Sequence, residues 1–552
     1  MTKQSCRLAA SKPRILDRLV GLETEYAVRF HPEDGARRIP HEQLYRLLLD
    51  ELGRQVPTVE ANHFKEGVFT ANGGAVWFER VRQAPFSGLI EGSTPECRGP
   101  RQIQLYQRAQ DQMLGDAARR AVDLGEFTLL KNDRDALDNI YGAQENYEAR
   151  LGGPLSLIVW RIGLILLTPA MLFSWIGFLL IVAGVVGYLF TAGLIYLLFK
   201  GLFPKTPDGT SSLSVALFGT GEAVPDWMEV VCLWLMRVVV APLAMGLWAL
   251  TGAAAFVRIR RQLLPFLISR SVIGGAGSLD RENHFHLADK AAAVNCLIGY
   301  GGLIDDRPLF NFGHFFKAMF LQAWCSPRDY LHLFASRQRL QIGLGDSNMA
   351  EEAEYLRVGT TLLVLDVIES GAMPSVPQPR RPLRALRFLC GDPSLKASVE
   401  VSGDKQWTAL QIQRFYWNAC RKFIAASDDA PAEAIELLER WDQALGDLEN
   451  LDDGAERLIG RIDWVTKKYF LDQAGADADW ESRKKIDLRY HELSPEGYFV
   501  RLKETGLVAT MTEPEELDRA IRNPPPGTLA TTRGHYIREF SQGSQRLRAN
   551  WH

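Results

Sequence analysis

Glu23 and Glu25 stand two positions apart in GLETEYAVRF, residues 21–30, inside an otherwise apolar stretch. In a strand this spacing sends both side chains to one face. Side by side they repel and disfavour the ionised form, so a positive charge between them is expected. A divalent hard cation bound by oxygen ligands would supply it; a solvated face of an edge strand would relieve the same repulsion. The surrounding pattern provides elements able to carry such a pair. It predicts a strand over Asp17–Arg29, a helix over His41–Leu52, a strand over Ala75–Glu79, a helix over Ile103–Leu124 and a strand over Phe127–Lys131. These strands carry Glu, Asn and His, which suggests an α/β domain whose sheet uses one face as a site.

With 552 residues the chain is long enough for two or more domains. Lys and Arg number 63 against 66 Asp and Glu, a net charge of -3, so no global basic field argues for nucleic acid as a partner. The seven cysteines are scattered without a CxxC, which suits a reducing compartment and argues against a disulfide framework or a zinc site. The first twenty residues lack an apolar core of the signal-peptide kind, so the N-terminal part is expected in the cytoplasm.

A mean hydropathy of -0.09 hides a sharp contrast. Leu155 to Phe199 carries Arg161 as its one charge, and Ser174 to Phe199 alone is long enough to cross a bilayer. Val230 to Val257 is about as apolar but contains Arg237 and Pro242, which make its insertion costlier. If the parts on both sides form one domain, the number of crossings is even. Either Leu155–Phe173 and Ser174–Phe199 form a hairpin, or the first piece lies at the interface and the second run makes the return crossing. Lys200 and Lys205 after the first run, and Arg258, Arg260 and Arg261 after the second, favour the hairpin, with Val230–Val257 re-entrant or interfacial.

Beyond the hydrophobic runs, residues 350–371 predict an amphipathic helix closing at Gly371, and 372–406, rich in Pro and Arg, reads as a connection. QIQRFYWNACRKFIA, AEAIELLERWDQAL and RLIGRIDWVTKKYFL between 407 and 475 read as helices, followed by a short mixed tail from 487.

Several segments together resemble one family. GLETEY (21–26), LLKNDRDALDNIYGAQENY (129–147), QLLPFLISR (262–270), GDSNMAEEAEYLRVG (345–359), IDWVTKK (462–468), IDLRYHEL (486–493) and NPPPGTLATTRG (523–534) occur in the order expected of the Pup ligase and depupylase family. These are glutamine-synthetase-like carboxylate-amine ligases of the bacterial proteasome pathway. The resemblance implies a curved antiparallel sheet with packed helices, here interrupted by a helical membrane insertion. It divides the chain into the N-terminal part of the catalytic domain (14–150), the insertion (151–260), the remainder of that domain (261–475) and a shortened C-terminal region (476–552).

The chemistry it implies uses ATP and Mg²⁺ to phosphorylate the side-chain carboxylate of a C-terminal glutamate, which a substrate lysine then attacks. The implied partners are a Pup-like small protein modifier, a protein substrate and proteasome pathway components; the hydrophobic runs add the inner membrane, with the catalytic part expected to face the cytoplasm. Glu23, Glu25 and Glu96 match the family's metal positions, and Glu79 stands at its catalytic aspartate. Asn132, Asn146, Arg307 and Arg533 match its cofactor-binding positions. Departures are Trp77 at a metal-site tyrosine, Gln144 at a histidine, RPLFNFGHF (307–315) lacking the second arginine of RPxxNTRDE, and Leu529 at another arginine. The span from Phe30 to Asn72 has the ligase branch's length, without the depupylase loop. The resulting expectation is a membrane-tethered, ATP-dependent ligase; the alternatives are an inactive nucleotide-binding scaffold and a depupylase-type amidase.

Overall fold

The computed structural model describes residues 15–34, 38–62, 65–80, 87–122, 125–202, 217–218, 225–300, 306–475, 477–541 and 548–551. Lys205 lies outside them, as does Leu124.

The strand predicted from GLETEYAVRF is β1, Leu19–Pro32, and it organises the molecule. Its alternation is strict where the site lies: Val20, Leu22, Thr24 and Tyr26 are buried on one face, and Gly21, Glu23 and Glu25 stand on the other. Further strands are β2 (Thr58–Ala61), β3 (Gly67–Thr70), β4 (Ala75–Arg80), β5 (Gly88–Ser93), β6 (Cys97–Arg98), β7 (Gly125–Leu130) and β8 (Ala143–Arg150). A short ribbon of β9 (Ser278–Leu279) and β10 (Phe285–His286) precedes β11 (Cys296–Gly299), β12 (Pro308–Asn311) and β13 (Arg337–Gly345). β14 (Ser398–Val401) and β15 (Lys405–Thr408) form a hairpin, and β16 (Arg548–Ala549) is last.

The main sheet runs β11-β12-β13-β8-β1-β5-β4-β3-β2-β16, with β6 and β7 also pairing β1. It is antiparallel except at β11/β12 and β16/β2. Helices α1 (His41–Gln55) and α2 (Pro100–Arg120) cover the buried face. α2 starts on a proline, whose missing N–H costs a first turn nothing, and meets β1 through polar as well as apolar groups. Tyr26 Oη donates to Asp111 at 2.7 Å, and Gln107 donates to Asp111 at 3.0 Å.

The segments resembling the family meet in a buried polar brace under this sheet. Glu145 of β8 lies between two guanidiniums, each 2.7 Å away: Arg270, at the end of LLPFLISR, and Arg357, in helix α6 (Glu351–Ser370). Tyr147 Oη adds a third hydrogen bond at 2.6 Å. Against burial, Arg270 and Arg357 hold the Glu145 carboxyl below the usual carboxylate range. Asn348 of GDSNM donates to Asp463 of IDWV at 3.0 Å, and Asp463 accepts the Met349 and Ala350 N–H groups, each at 3.0 Å, at the start of α6. The helix is therefore capped from a distant segment. Asp346 in turn accepts from the backbone of Ala276, Asp289 and Lys290, so GDSNM acts as a structural junction.

Two apolar helices rise from this body: α3 (Pro154–Leu202) and α4 (Asp226–Ala254). Both are long and apolar enough to cross a membrane. Gly163 faces Leu250, Gly177 faces Val239 and Tyr188 meets Trp227 edge-on, so the pair is antiparallel and closely packed. The expected turn near residues 173–174 is absent: Leu155 to Phe199 is one continuous helix, and α4 makes the return. Small residues at the interface and the Ser174 Oγ bond to Val239 O at 3.2 Å explain why pairing with α4 wins. At the base, Phe256 N donates to Leu151 O at 2.6 Å, which closes the insertion beside β8 before α5 (Val257–Ser269) begins.

Other expectations shift. Helix α6 (Glu351–Ser370) ends at Gly371, φ 87°, as the sequence indicates, yet it is buried nearly all round. Its Glu and Arg side chains are internal ion pairs, which a hydropathy pattern reads as a solvated face. Residues 372–406 are structured, with α7 (Pro382–Cys390) and the β14–β15 hairpin. α8 (Ala409–Ala425) and α9 (Ala432–Glu449) match their predicted runs. The third run breaks at Gly460, φ 75°, because Asp463 starts a new helix, α10 (Asp463–Gln473), where it can reach α6. The tail is largely helical, including Trp480–Tyr490 and Leu529–Phe540.

Breaking the brace leaves two buried guanidiniums uncompensated. Glu145→Ala is expected to cost about 3–5 kcal/mol of stability, seen as a lower thermal midpoint and loss of soluble expression.

Candidate active site

The open face of the sheet gathers the acidic side chains in adjacent rows. Glu25 lies opposite Glu91 of β5, and Glu91 lies opposite Trp77 of β4. Glu23 lies opposite Gln144 of β8, while Asn146 and Gln341 pair between β8 and β13. Alternation in each strand then puts Glu23, Glu25, Glu79, Glu91, Gln144, Asn146, Arg339 and Gln341 on this one side.

Three cations balance the carboxylates. Lys65 Nζ bridges Glu91 at 2.6 Å and Glu79 at 3.1 Å. Arg339 reaches Glu23 at 2.8 Å and donates to Asn146 Oδ1 at 2.7 Å, while Asn146 Nδ2 donates to Glu23 at 3.1 Å. Lys290 Nζ stands 3.8 Å from Glu25. Burial, reinforced by Glu23 and Glu79 and opposed by Lys65, pushes the Glu91 carboxyl up to about 8. Burial likewise raises Glu25, with Lys290 opposing. Glu79, with 44% of its side chain exposed, goes the other way: against burial, Lys65 and the hydrogen bond from Glu91 hold it below the ordinary value. The rows thus separate an accessible carboxylate, Glu79, whose ionised form is favoured from two buried ones, Glu91 and Glu25, whose pKa burial raises, which is the electrostatic asymmetry an acid–base site needs.

Glu96, expected among the metal ligands, takes another position. Arg533 grips it with contacts of 2.5 Å and 3.2 Å and also donates to Gly73 O at 2.8 Å. The guanidinium lies against the Phe69 and Trp551 rings, 5.1 Å and 4.7 Å from their centroids. Arg533 and Glu96 therefore form a clamp between the helix Leu529–Phe540 and the β4–β5 side of the sheet. Asn132 is buried in the loop after β7, and neither atom of its amide has a partner among the described residues. Arg307 is exposed just before β12, its backbone N–H bonded to Asn295 Oδ1 at 2.9 Å. The sheet thus brings together Glu23, Glu25, Glu79 and Asn146, while Glu96 and Arg533 pair with each other and Asn132 and Arg307 lie outside these rows.

Sequence reasoning missed Glu91, Lys65, Lys290 and Arg339. Glu91 alone carried a visible signal: it is a lone carboxylate in the run GLIEGS, at the alternation that faces Glu25.

A carboxylate-lined face on a largely antiparallel sheet fits many chemistries, and comparison with known proteins decides between them. The profile of the Pup-ligase protein family matches residues 18–552. The chain belongs to the Pup-ligase family. A Pup–protein ligase of Corynebacterium jeikeium is 26% identical over 94% of this chain and 88% of its own length. Pup–protein ligase 2 of Rhodococcus erythropolis is 31% identical over 54% of this chain and 65% of its own length, so the chain spans just under two thirds of that relative. The crystal structure of the ligase PafA in complex with the ubiquitin-like protein Pup shares the fold with a TM-score of 0.65 at 21% identity, covering 97% of this chain and 86% of the other. PafA in complex with ADP gives 0.58 at 19% identity, covering 94% and 89%.

Against the Pup-ligase pattern, the departures have local reasons. Trp77 packs edge-on to Phe69, with ring centroids 5.8 Å apart, and its ring lies so close over Gly67 that a Cβ there would approach to 2.2 Å. It is a wall of the site, only 3% exposed. Gln144 accepts from Gln341 and so stays docked beside Glu23.

Because folded Glu91 titrates near 8 instead of 4.5, the metal-free folded protein keeps a proton that the unfolded chain has lost. Stability should therefore fall as pH rises through that window. In EDTA, the thermal midpoint is expected to drop between pH 6 and pH 8.5, and Glu91→Gln should flatten that drop.

Proposed function

We propose that the chain is an ATP- and Mg²⁺-dependent carboxylate-amine ligase that joins the side-chain carboxylate of a C-terminal glutamate on a Pup-like modifier to a lysine of a protein substrate. The observation that carries this reading is the row of Glu23, Glu25 and Glu91 beside an ionised Glu79 on one sheet face in a Pup-ligase family chain. All the donors there are oxygens, as Mg²⁺ requires. Among the described residues no three His, Cys, Asp or Glu side chains converge to hold a metal alone. That suits Mg²⁺, which takes one or two carboxylates and completes its shell with phosphate and water.

In this reading one or two of the carboxylates Glu23, Glu25 and Glu91 would hold the metal together with phosphate and water, and the metal would supply neutralisation of phosphate charge. Arg307 and Asn132 contact the nucleotide; the unpartnered Asn132 amide is a donor and acceptor awaiting such a contact. Asn146 orients Glu23, and Arg533 keeps Glu96 and the Gly73 loop in place beside the site. The glutamate carboxylate oxygen attacks the γ-phosphorus of ATP, ADP leaves and an acyl phosphate forms; the lysine amine then attacks the acyl carbon, Glu79 takes the amine's proton, and the C–O bond breaks to release phosphate. Lys65 holds Glu79 and Glu91 together in the resting protein and must yield its place to the incoming amine or metal.

The pair α3 and α4 tethers this ligase to the inner membrane with the catalytic body in the cytoplasm; its support is their length, apolarity and exposure. One observation favours a second reading, a nucleotide-binding scaffold without turnover: Lys65 is ion-paired to Glu79 at 3.1 Å, and Trp77 stands where the family has a tyrosine.

Supplied with ATP, Mg²⁺ and a glutamate-ending modifier, the purified chain is expected to release ADP, and Glu79→Gln to abolish release while nucleotide still binds. ADP release lost in both proteins, with binding intact, would favour the scaffold. In cell fractionation the chain should leave the membrane pellet only with detergent; recovery in the soluble fraction would remove the tether.

A further inference from the structure

The apolar surface of α3 and α4 does not end at those helices. Residues 313–334, between β12 and β13, lie along the lower part of α3. They comprise a helical stretch with a π-helical turn at Ala318–Gln322 and a short helix, Pro327–His332. The contact is extensive and specific. Trp160 Nε1 donates to Leu333 O at 2.8 Å, Thr168 Oγ1 pairs with Tyr330 Oη at 2.9 Å, and Trp175 Nε1 donates to Phe320 O at 3.0 Å. Trp175 also meets Trp324 edge-on at 5.3 Å.

At a rise of about 1.5 Å per residue, α3 is far longer than the roughly 30 Å of a bilayer core. Its lower part, Trp160 to Phe178, runs beside this segment. On the outside of the segment Leu321, Trp324 and Leu331 are exposed, by 38%, 50% and 62%. Phe173 of α3 and Trp248 of α4 are exposed as well, by 54% and 60%. Exposed Lys317, Arg328 and Arg161 flank them, with Asp329 half-buried as the one acid of the segment. Large apolar and aromatic side chains ringed by cations match the headgroup zone of an anionic bilayer, where indole rings settle and basic side chains meet lipid phosphate.

We propose that residues 313–334 form a membrane-interface foot: Leu321, Trp324 and Leu331 enter the headgroup region of an anionic bilayer beside the point where α3 and α4 emerge. This rests on the reading of α3 and α4 as membrane helices. The foot leads directly into β13, whose Arg339 holds Glu23, so it fixes the carboxylate face at a set height above the membrane.

The test places the photo-crosslinking residue p-benzoylphenylalanine at single positions in the full chain, reconstituted in vesicles of phosphatidylcholine and phosphatidylglycerol. Trp324 and Leu331 report the foot, and Phe190, 76% exposed on α3, reports the crossing. Tyr536, near the opposite, β2–β3 end of the sheet, is the control. The foot predicts phospholipid adducts at 324, 331 and 190 and none at 536. Adducts at 190 alone would overturn the foot and leave the tether standing. No adduct at 190 would overturn both. Adducts of 324 to protein instead of lipid would make this a protein-docking face and also overturn the proposal.

Discussion

The buried carboxylate of Glu145, held by Arg270 and Arg357, is the contact on which the rest of the architecture depends. It joins β8, the end of α5 and the middle of α6, three segments far apart in sequence. From Arg357 the chain of charges continues through Glu354 to Arg108, Asp111 and Lys131, reaching α2 and the end of β7. Taking so many charges from water is costly, and each is compensated by a partner in good geometry. What the network provides is position: β8 cannot slide by one residue without driving Glu145 to the open face and Gln144 into the core. The placement of Asn146 and Gln144 beside Glu23 follows from that register.

The same anchor explains how the chain tolerates a long hydrophobic insertion. Glu145 precedes it and Arg270 follows it, and the Leu151–Phe256 hydrogen bond closes its base. The two helices therefore leave and return at one point of the surface, and the sheet is built as though they were absent. Surface connections are where folds accept such additions.

Much of this was legible in the sequence, for identifiable reasons. β1 and the one-sided placement of Glu23 and Glu25 follow from period-two alternation, and Gly371 as a helix end follows from its need for positive φ. The order of the family-like segments indicated the fold. The rest depends on contacts distant in sequence. α6 reads as amphipathic because its ion pairs are internal, and its cap comes from Asp463, which no local pattern reveals. Glu96 shares the GSTPEC turn with the site strands but is claimed by Arg533 from the C-terminal helix. Lys65, Lys290 and Arg339 approach the carboxylates from three separate segments, so charge balance in the site could be expected but not assigned. The helix that packs back along α3 is α4, because close helix packing, invisible in hydropathy, decides the pairing.

The site that emerges has intact carboxylates, a longer arm at Glu79 and a tryptophan wall, and whether it transfers phosphate is the central question. The direct measurement is isotope transfer. A modifier whose C-terminal glutamate carries ¹⁸O in its side-chain carboxylate is incubated with ATP, Mg²⁺ and a lysine acceptor, and the released phosphate is analysed by mass spectrometry. A ligase working through an acyl phosphate moves one ¹⁸O into phosphate for each isopeptide bond formed. Conjugate formed without label in the phosphate, or no conjugate at all, would contradict the account.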